Sequence, residues 1–324
     1  MPPAELSRIK LYQPKAALAP AAELILNNAE LGRFATKFAS IETATGRVML
    51  AIRSIVHPTD FSDASADAFA HALRIALTTQ ASLYLLHVAV RADKTDWMSF
   101  PYVRQALANW GLMSAHEPPA AVCERLGVKI SKVELSPQST VGGILNFLDK
   151  QAADLIVLAT EGRQGAARWL HGSVAETLAR HAKTPTLFVP HRKRGFVDQA
   201  RGELHLHRVL IPIDHEPKPA AAIGTIMGFA HTLAGMAVEE RLLHVGGNPP
   251  QVQRHTEPHR PLPVAIRHGD VIDAIVDAAT DWQADLIGMA TAGHHGFLDA
   301  LRGSTTERVL RQAPCPLLAV PVSA

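Results

Sequence analysis

The chain has 324 residues, of which 47% are hydrophobic and 19% charged, and its formal net charge is +2. This length and composition predict two globular domains, and so weak a charge argues against a nucleic-acid-binding protein, which needs a clustered basic face. Two cysteines without metal-ligand spacing argue against a disulfide framework and favour a reducing compartment. With no run of 18 apolar residues and no secretory signal, we expect a cytoplasmic protein that does not contact a membrane.

Residues 1–47 have no counterpart later in the chain and begin with several prolines, which favour an extended start. Apolar residues then recur at helical spacing, so we predict one amphipathic helix over 21–39 in an otherwise partly disordered N-terminal extension. Met49, which stands just before the first predicted strand, is an alternative start of the protein.

Short apolar strands alternate with helices from Ile52 onwards. Strands are predicted at 52–56, 83–88, 128–135, 155–159 and 186–189, with helices at 62–77, before Gly127, at 140–151 and from 173. Ser62 and Asp63 are the predicted cap of the first of these helices. Residues 48–192 form the predicted first domain, and the basic run 191–194 is predicted to be a solvated linker.

The remainder of the chain repeats this order, and we predict a second domain over 205–324. Strands are predicted at 209–213, 241–245, 264–267, 286–290 and 317–320, with helices at 219–234, 270–280 and 305–312. A loop rich in proline and histidine, 246–263, replaces the longer connection of the first domain.

One motif is written twice, 131 residues apart, as ATEGRQGAARWLHGS at 159–173 and ATAGHHGFLDALRGS at 290–304. In each copy a glycine is followed by nine residues and then by Gly-Ser. A period this long corresponds to a whole domain and indicates a tandem duplication.

Short strands that are apolar throughout and alternate with helices predict a parallel sheet covered on both faces. Right-handed crossovers turn such units into an open, doubly wound α/β sheet, which binds ligands beyond the carboxyl ends of its strands. Both glycine motifs follow such an end, as do Asp60 and Asp214.

The glycine motifs are suited to holding a phosphate. Glycine allows the backbone to approach a ligand closely, and the free N–H groups at a helix start favour an anion. Ser173 and Ser304 can cap the following helix and offer a hydroxyl group. A tight strand-to-helix turn with a serine cap is the alternative interpretation of either copy.

Several motifs together make the chain resemble the universal stress protein superfamily in its tandem form, over roughly 50–324. They are Pro58-Thr59-Asp60 and Pro212-Ile213-Asp214, Leu85-Leu86-His87-Val88 and Leu242-Leu243-His244-Val245, the two glycine motifs, and the closing Val189-Pro190 and Val320-Pro321. The resemblance implies two Rossmann-like domains of the adenine nucleotide alpha hydrolase-like type, each an open five-stranded parallel sheet with helices on both faces.

The resemblance also implies a site for ATP, with ADP or AMP as alternatives and Mg as the accompanying metal. It assigns to the first domain's site Pro58, Asp60, Val88, Gly162, Gly165, Gly172 and Ser173. It assigns to the second domain's site Pro212, Asp214, Val245, Ala290, Gly293, Gly296, Gly303, Ser304, Thr305 and Thr306.

The two copies depart differently from the family pattern G-x2-G-x9-G-[ST]. Its first glycine is replaced by Ala159 in one copy and by Ala290 in the other, where a methyl group is expected to crowd a nucleotide. Glu161 lies within the first copy, where a carboxylate repels phosphates, whereas the second copy has Ala292 at that place and a hydroxyl at Thr306. We therefore expect the nucleotide chiefly in the second domain.

No catalytic constellation is evident, so we expect a stress-response protein that binds a small ligand without dedicated catalysis. A slow Mg-dependent nucleotide hydrolase is one alternative, and a partner-binding or zinc-binding protein with degenerate sites is another. Zinc is suggested by His255, Glu257 and His259 and by the adjacent His294 and His295. His87 and His244 are interpreted as buried, hydrogen-bonded structural residues. The last strands are expected to pair as an intrachain pseudo-dimer, and two chains to pair as a homodimer.

Overall fold

Ten strands form one continuous sheet in the computed structural model of the protein. The structure describes residues 40–42, 48–88, 102–135, 140–160, 184–254, 257–292 and 305–322. The predicted helix over 21–39, both glycine loops and the helix predicted from Ser173 lie outside these residues.

The elements of the first domain are β1 Ser40–Glu42, β2 Val48–Leu50, β3 Ser54–Pro58, α1 Asp63–Thr79, β4 Ser82–Val88, α2 Val103–Asn109, α3 Ala120–Leu126, β5 Ile130–Leu135, α4 Thr140–Lys150, β6 Leu155–Ala159 and β7 Thr186–Val189. From β3 onwards the described part of the first domain follows the predicted order of strands and helices, with the addition of α2; the hairpin of β1 and β2 that precedes it was not predicted. As predicted, Ser62 caps α1 by accepting a hydrogen bond from the N–H of Ser65, and Gly127 in the left-handed conformation ends α3.

The second domain repeats the order with one addition. Its elements are β8 Arg208–Pro212, α5 Pro219–Ala234, β9 Glu239–Val245, β10 Gln253–Arg254, β11 Glu257–Pro261, β12 Val264–Arg267, α6 Val271–Asp281, β13 Leu286–Ala292, α7 Thr305–Gln312 and β14 Leu317–Val322. The addition is the antiparallel pair β10–β11, which lies where the sequence predicts only a loop.

The strand order is β12-β9-β8-β13-β14-β7-β6-β3-β4-β5. Five strands on each side run parallel to their neighbours, and β7 meets β14 antiparallel, with Leu187 opposite Leu318. The two five-stranded parallel sheets are confirmed, and the last strands pair with each other as expected. Their edges therefore close against each other within the chain.

An aspartate carboxylate fixes the start of the first strand in each domain. The Asp154 carboxylate accepts hydrogen bonds from the N–H groups of Arg53 and Ser54, at 2.8 and 2.9 Å. The Asp285 carboxylate does the same for His207 and Arg208, at 2.8 and 3.0 Å. Because a side chain holds these N–H groups, the ladder of the first domain begins at Ser54, two residues later than predicted.

The helices divide between two hydrophobic cores, one on each face of the sheet. The first core holds α1, α2, α3 and α5, with α1 and α5 in contact across the junction of the domains. The second core holds α4, α6 and α7. Burying the apolar strands on both faces stabilises the sheet by the hydrophobic effect.

Helix α5 is the most apolar helix of the described chain. With the following turn it spans Pro219–Ala237 and is the one described helix long and apolar enough, by composition, to cross a membrane. It packs against strands β13 and β14, against α1, and against β2 of the N-terminal β1–β2 hairpin. The Thr232 hydroxyl accepts a hydrogen bond from the N–H of Leu50 at 3.0 Å. Contacts on several sides account for its apolar sequence.

The connection between the domains is folded, and the prediction of a solvated linker holds for only part of it. Arg192 and Lys193 are exposed, but His191 lies 2.8 Å from the Asp67 carboxylate and Arg194 lies 2.6 Å from the buried Asp285 carboxylate. Phe196 is fully buried and packs edge-on against His71 at 4.6 Å between ring centroids. The connection therefore ties the domains together through α1 and β13.

Candidate functional site

A cavity of about 370 Å³ opens at the carboxyl ends of β8, β9 and β13; we call it the second-domain pocket. Its walls are largely apolar and come from these three strands and from α5 and α6. The apolar lining residues are Ile211, Ile213, Ala222, Ile223, Leu243, Val245, Val271, Ile275, Met289 and Ala290. Such a wall suits a flat apolar ligand group such as a purine ring.

Polar groups surround the apolar part of the pocket. Asp214 follows β8 with its carboxylate 70% exposed, and Glu216 lies nearby. Thr291 is on β13, and Thr305 and Thr306 form the first turn of α7. Because the N–H groups of a first helical turn point outwards and favour negative charge, this end of the pocket suits an anion.

The pocket gathers every predicted residue of the second domain's site that the structure describes. They are Pro212, Asp214, Val245, Ala290, Thr305 and Thr306. Gly293, Gly296, Gly303 and Ser304 lie outside the described residues. Ala290 is half-buried in the wall, where the family pattern has glycine.

Other lining residues were not predicted. Ile223 belongs to α5, and Val271 and Ile275 belong to α6. They lie on helices that pack over the sheet, outside the motifs at the strand ends. The apolar spacing of these helices predicted a buried face, but it did not show that part of that face borders a ligand cavity.

The first domain has strand ends equivalent to those that form the second-domain pocket, but the side chains around them are more polar. The Thr59 hydroxyl accepts a hydrogen bond from the Ser65 hydroxyl at 2.8 Å, and the Asp60 carboxylate accepts one from the Ser62 hydroxyl at 2.6 Å. Pro58, Asp60 and Val88 are placed at these ends, whereas Gly162, Gly165, Gly172 and Ser173 lie outside the described residues.

Two histidines of the first domain are buried without charge. His57, on β3, is fully buried, and its Nδ1 lies 3.0 Å from the carbonyl oxygen of Val157. Burial lowers the pKa of His57 to about 4, and burial likewise lowers the pKa of His71, on α1, to about 4. Within the described chain, the Nε2 atoms of both have no hydrogen-bond partner. Both imidazoles are therefore neutral near pH 7.

The second strand of each domain ends in a histidine with an equivalent hydrogen bond. His87 Nδ1 lies 2.9 Å from the carbonyl oxygen of Thr59, and His244 Nδ1 lies 3.2 Å from that of Ile213. The hydrogen bonds predicted for both histidines are confirmed. The predicted burial is confirmed for His244 and is wrong for His87, which is half-buried.

The side chains of the suggested zinc ligands lie outside the part of the chain that the structure describes. Among the described residues, no group of three or more His, Cys, Asp or Glu side chains is arranged to hold a metal ion. His255, His294 and His295 lie outside those residues, so the zinc hypothesis for them stays a prediction.

Comparison with known proteins matches both domains. The model of the universal stress protein family matches residues 51–190 and 214–321. A universal stress protein of Methanocaldococcus jannaschii is 34% identical over 151 residues, which cover 44% of this chain and 84% of that protein.

Solved structures share the whole two-domain arrangement. A universal stress protein from Archaeoglobus fulgidus is 19% identical with a TM-score of 0.54, covering 83% of this chain and 96% of that one. A functionally unknown protein from Pseudomonas aeruginosa is 17% identical with a TM-score of 0.56, covering 84% of this chain and 93% of that one. These likenesses show a common fold. Since the family model matches most of the sequence, in two successive copies, the chain belongs to the universal stress protein family.

Proposed function

We propose that the second-domain pocket binds ATP or another adenine nucleotide, and that binding, without dedicated catalysis, is the pocket's function. The observation that carries this is the pocket itself. It unites an apolar slot, the Asp214 carboxylate and the first turn of α7 at one edge of the sheet. A purine, a ribose and a phosphate need these three environments, in this order.

The fit of each part can be argued from the described residues. The base lies between the apolar side chains of β8, α5 and α6. The Asp214 carboxylate is 70% exposed and accepts a hydrogen bond from the neighbouring N–H of His215, at 2.8 Å, so it has room to accept others from ribose hydroxyls. The phosphates lie toward Thr305 and Thr306.

Magnesium has a role in this proposal because of the charges at the pocket. The described lining includes the carboxylates of Asp214 and Glu216 and has no lysine or arginine. Two carboxylates repel a triphosphate, and a bound Mg²⁺ offsets that repulsion. We therefore expect ATP to bind more tightly with Mg²⁺ than without it, and AMP to depend less on the ion.

Calorimetric titration of Mg·ATP, ADP and AMP into the full chain tests the proposal. We expect one site per chain. Asp214→Ala should weaken binding about tenfold, because it removes a charged hydrogen-bond acceptor. The matched variant Asp60→Ala, at the equivalent place in the first domain, should bind as the unmodified protein does.

Three results would count against this proposal. Absence of heat and of thermal stabilisation with all three nucleotides would overturn it. Two sites per chain, or equal losses in the two aspartate variants, would show that the first domain binds as well. Ala290→Gly adds a further check, since removal of the methyl group should strengthen binding if that group crowds the nucleotide.

A further inference from the structure

We propose that four side chains between the first strand and the first helix of each domain decide which domain binds the nucleotide. In the first domain these side chains contact one another in two pairs and close the space, whereas their counterparts in the second domain line the second-domain pocket. This inference rests on the proposed function and supplies the cause of its restriction to one domain. We call the four residues of the first domain the strand–helix clamp; they are His57, Thr59, Ser65 and Phe69.

The counterparts of the clamp follow from the repeat in the sequence. Both domains end their first strand with Pro-x-Asp, so we count from Pro58 in one domain and from Pro212 in the other, without a gap. The structure supports this register, because Phe69 and Ile223 are both 7% exposed and the alanine before each of them is buried. In the order of the clamp, the counterparts are Ile211, Ile213, Pro219 and Ile223.

A hydrogen bond between side chains joins the end of β3 to α1 in the first domain. The Ser65 hydroxyl donates to the Thr59 hydroxyl at 2.8 Å, and both residues are buried. The Thr59 oxygen also accepts a hydrogen bond from the N–H of Phe61, at 3.2 Å. A ligand that entered here would break hydrogen bonds between buried groups, which costs free energy. Ile213 and Pro219 have no hydroxyl group, and both line the second-domain pocket.

Two rings form the other pair of the clamp. His57 on β3 is fully buried, and the ring of Phe69 on α1 lies 6.3 Å from it between centroids, with the planes tilted by 42°. Their counterparts Ile211 and Ile223 both line the second-domain pocket. Because interiors are closely packed and isoleucine is smaller than phenylalanine, the space that Phe69 fills beside β3 stays open beside β8.

The exchange of these four side chains changes both the size and the polarity of the space at the strand end. All four counterparts are apolar and belong to the wall of the cavity, which suits an apolar group such as a purine ring. The clamp instead contains two hydroxyl groups bonded to each other and a buried imidazole. The first domain therefore lacks the apolar surface that the base needs.

This cause of the asymmetry differs from charge repulsion. The sequence predicts that Glu161, in the first glycine motif, repels the phosphates of a nucleotide. The clamp excludes the base, whatever the charge of the ligand. We therefore expect Glu161→Ala, made alone, to leave the number of sites per chain at one.

Exchange of the side chains between the domains tests the inference, with AMP as the probe in calorimetric titrations of the full chain below the melting temperature of every variant. The closing variant places the clamp in the second domain and should weaken AMP binding at least about tenfold, because larger side chains fill the cavity. Ile223→Phe alone is a milder form and should act in the same direction. The changes of the closing variant are Ile211→His, Ile213→Thr, Pro219→Ser and Ile223→Phe.

A matched control adds bulk to the same helix away from the cavity. Met227 is buried one turn further along α5 and is not among the described lining residues of the pocket. Met227→Phe should therefore lower the melting temperature and leave AMP affinity unchanged.

The opening variant gives the first domain an apolar wall and should bind two AMP molecules per chain. A chain that combines the opening and closing variants should bind one AMP, now in the first domain. Asp60→Ala, added to that combination, should then weaken binding as Asp214→Ala does in the unmodified protein. The changes of the opening variant are His57→Ile, Thr59→Ile, Ser65→Ala and Phe69→Ile.

AMP affinity retained by both the closing variant and Ile223→Phe would overturn this inference and leave the proposed function intact. It would also be overturned by one site in the opening variant, by two sites in the unmodified protein, or by a second site that appears with Glu161→Ala alone. A loss of affinity in Met227→Phe equal to that in Ile223→Phe would indicate a general loss of structure and would overturn it as well. Absence of AMP binding by the unmodified protein would overturn the proposed function, and this inference with it.

Discussion

The first two strands of each domain are held by the same hydrogen bonds, which we call the backbone frame. The two domains differ in the side chains that surround this frame. In both, an aspartate anchors the first strand, and a histidine just before the last residue of the second strand bonds to the backbone that follows the first strand. Around the first frame, Thr59 bonds to Ser65, and His57 is buried beside them. Around the second, Ile213 and Ile211 take the places of Thr59 and His57 and line a cavity.

The side chains at the strand ends therefore differ although the backbones are duplicated. In the first domain Thr59 and Asp60 accept hydrogen bonds from Ser65 and Ser62, and the ring of Phe61 stacks on His87 at 4.2 Å. At the same place in the second domain His215 meets His244 only by its edge, at 5.9 Å. We therefore expect the two domains to differ in ligand binding because of their side chains, although the hydrogen bonds between their first two strands correspond.

Acidic pH should lower the stability of the first domain more than that of the second. The reason is that the first domain has the buried, neutral His57, whereas the second has Ile211 at that place. The pKa values of His57 and His71 in the folded protein are about 4, below the ordinary 6.5. Between pH 6.5 and 4 the unfolded chain binds protons that the folded chain does not, so stability falls as pH falls. At pH 5 the loss is about 2 kcal/mol for each histidine.

Urea unfolding at pH 7.5 and pH 5 measures this loss. His57→Ile, which introduces the residue of the second domain, should halve the pH dependence. An undiminished dependence in that variant would show that His57 is not a source of acid sensitivity.

The aspartate anchors should differ in strength, although they make the same backbone contacts. Asp285 is 2% exposed and also pairs with Arg194, whereas Asp154 is half-buried. Removal of a buried charge leaves its hydrogen-bonding partners unsatisfied. We therefore expect Asp285→Ala to lower the free energy of unfolding by about 3 kcal/mol. Asp154→Ala should lower it by about 1 kcal/mol. Chemical denaturation measures both, and equal losses would show that the Arg194 pair contributes nothing.

A smaller loss of stability is expected from a substitution on β13, the strand that corresponds to β6 of the first domain. Val157 on β6 corresponds to Gly288 on β13, where a Cβ atom would lie 2.5 Å from Cγ2 of Ile226. Gly288→Val should therefore cost about 2 kcal/mol by overpacking. Thermal denaturation measures the cost, and a second change, Ile226→Ala, should recover part of it. A valine tolerated without loss would show that α5 can move away from the sheet.

The local elements and their repetition could be predicted from the order of residues along the chain. The predicted ranges of β6, β7, α5, β12 and α7 agree with the structure, because each is a run of consistent apolar spacing bounded by glycine, proline or a cap. The repeated motifs also predicted which strand ends carry Asp214 and Val245. These properties depend on residues close together in the chain.

Contacts between segments that are distant in the chain could be identified only in the folded protein. The linker residue Arg194 pairs with Asp285, and Leu50 bonds to Thr232 on the far side of the domain junction. The pocket is likewise lined by Ile223 and Val271, which lie on two helices. The apolar spacing of these helices predicts that one face is buried, but it does not predict which element packs against that face. Local propensity cannot specify such contacts, because they arise when separate apolar faces are buried together.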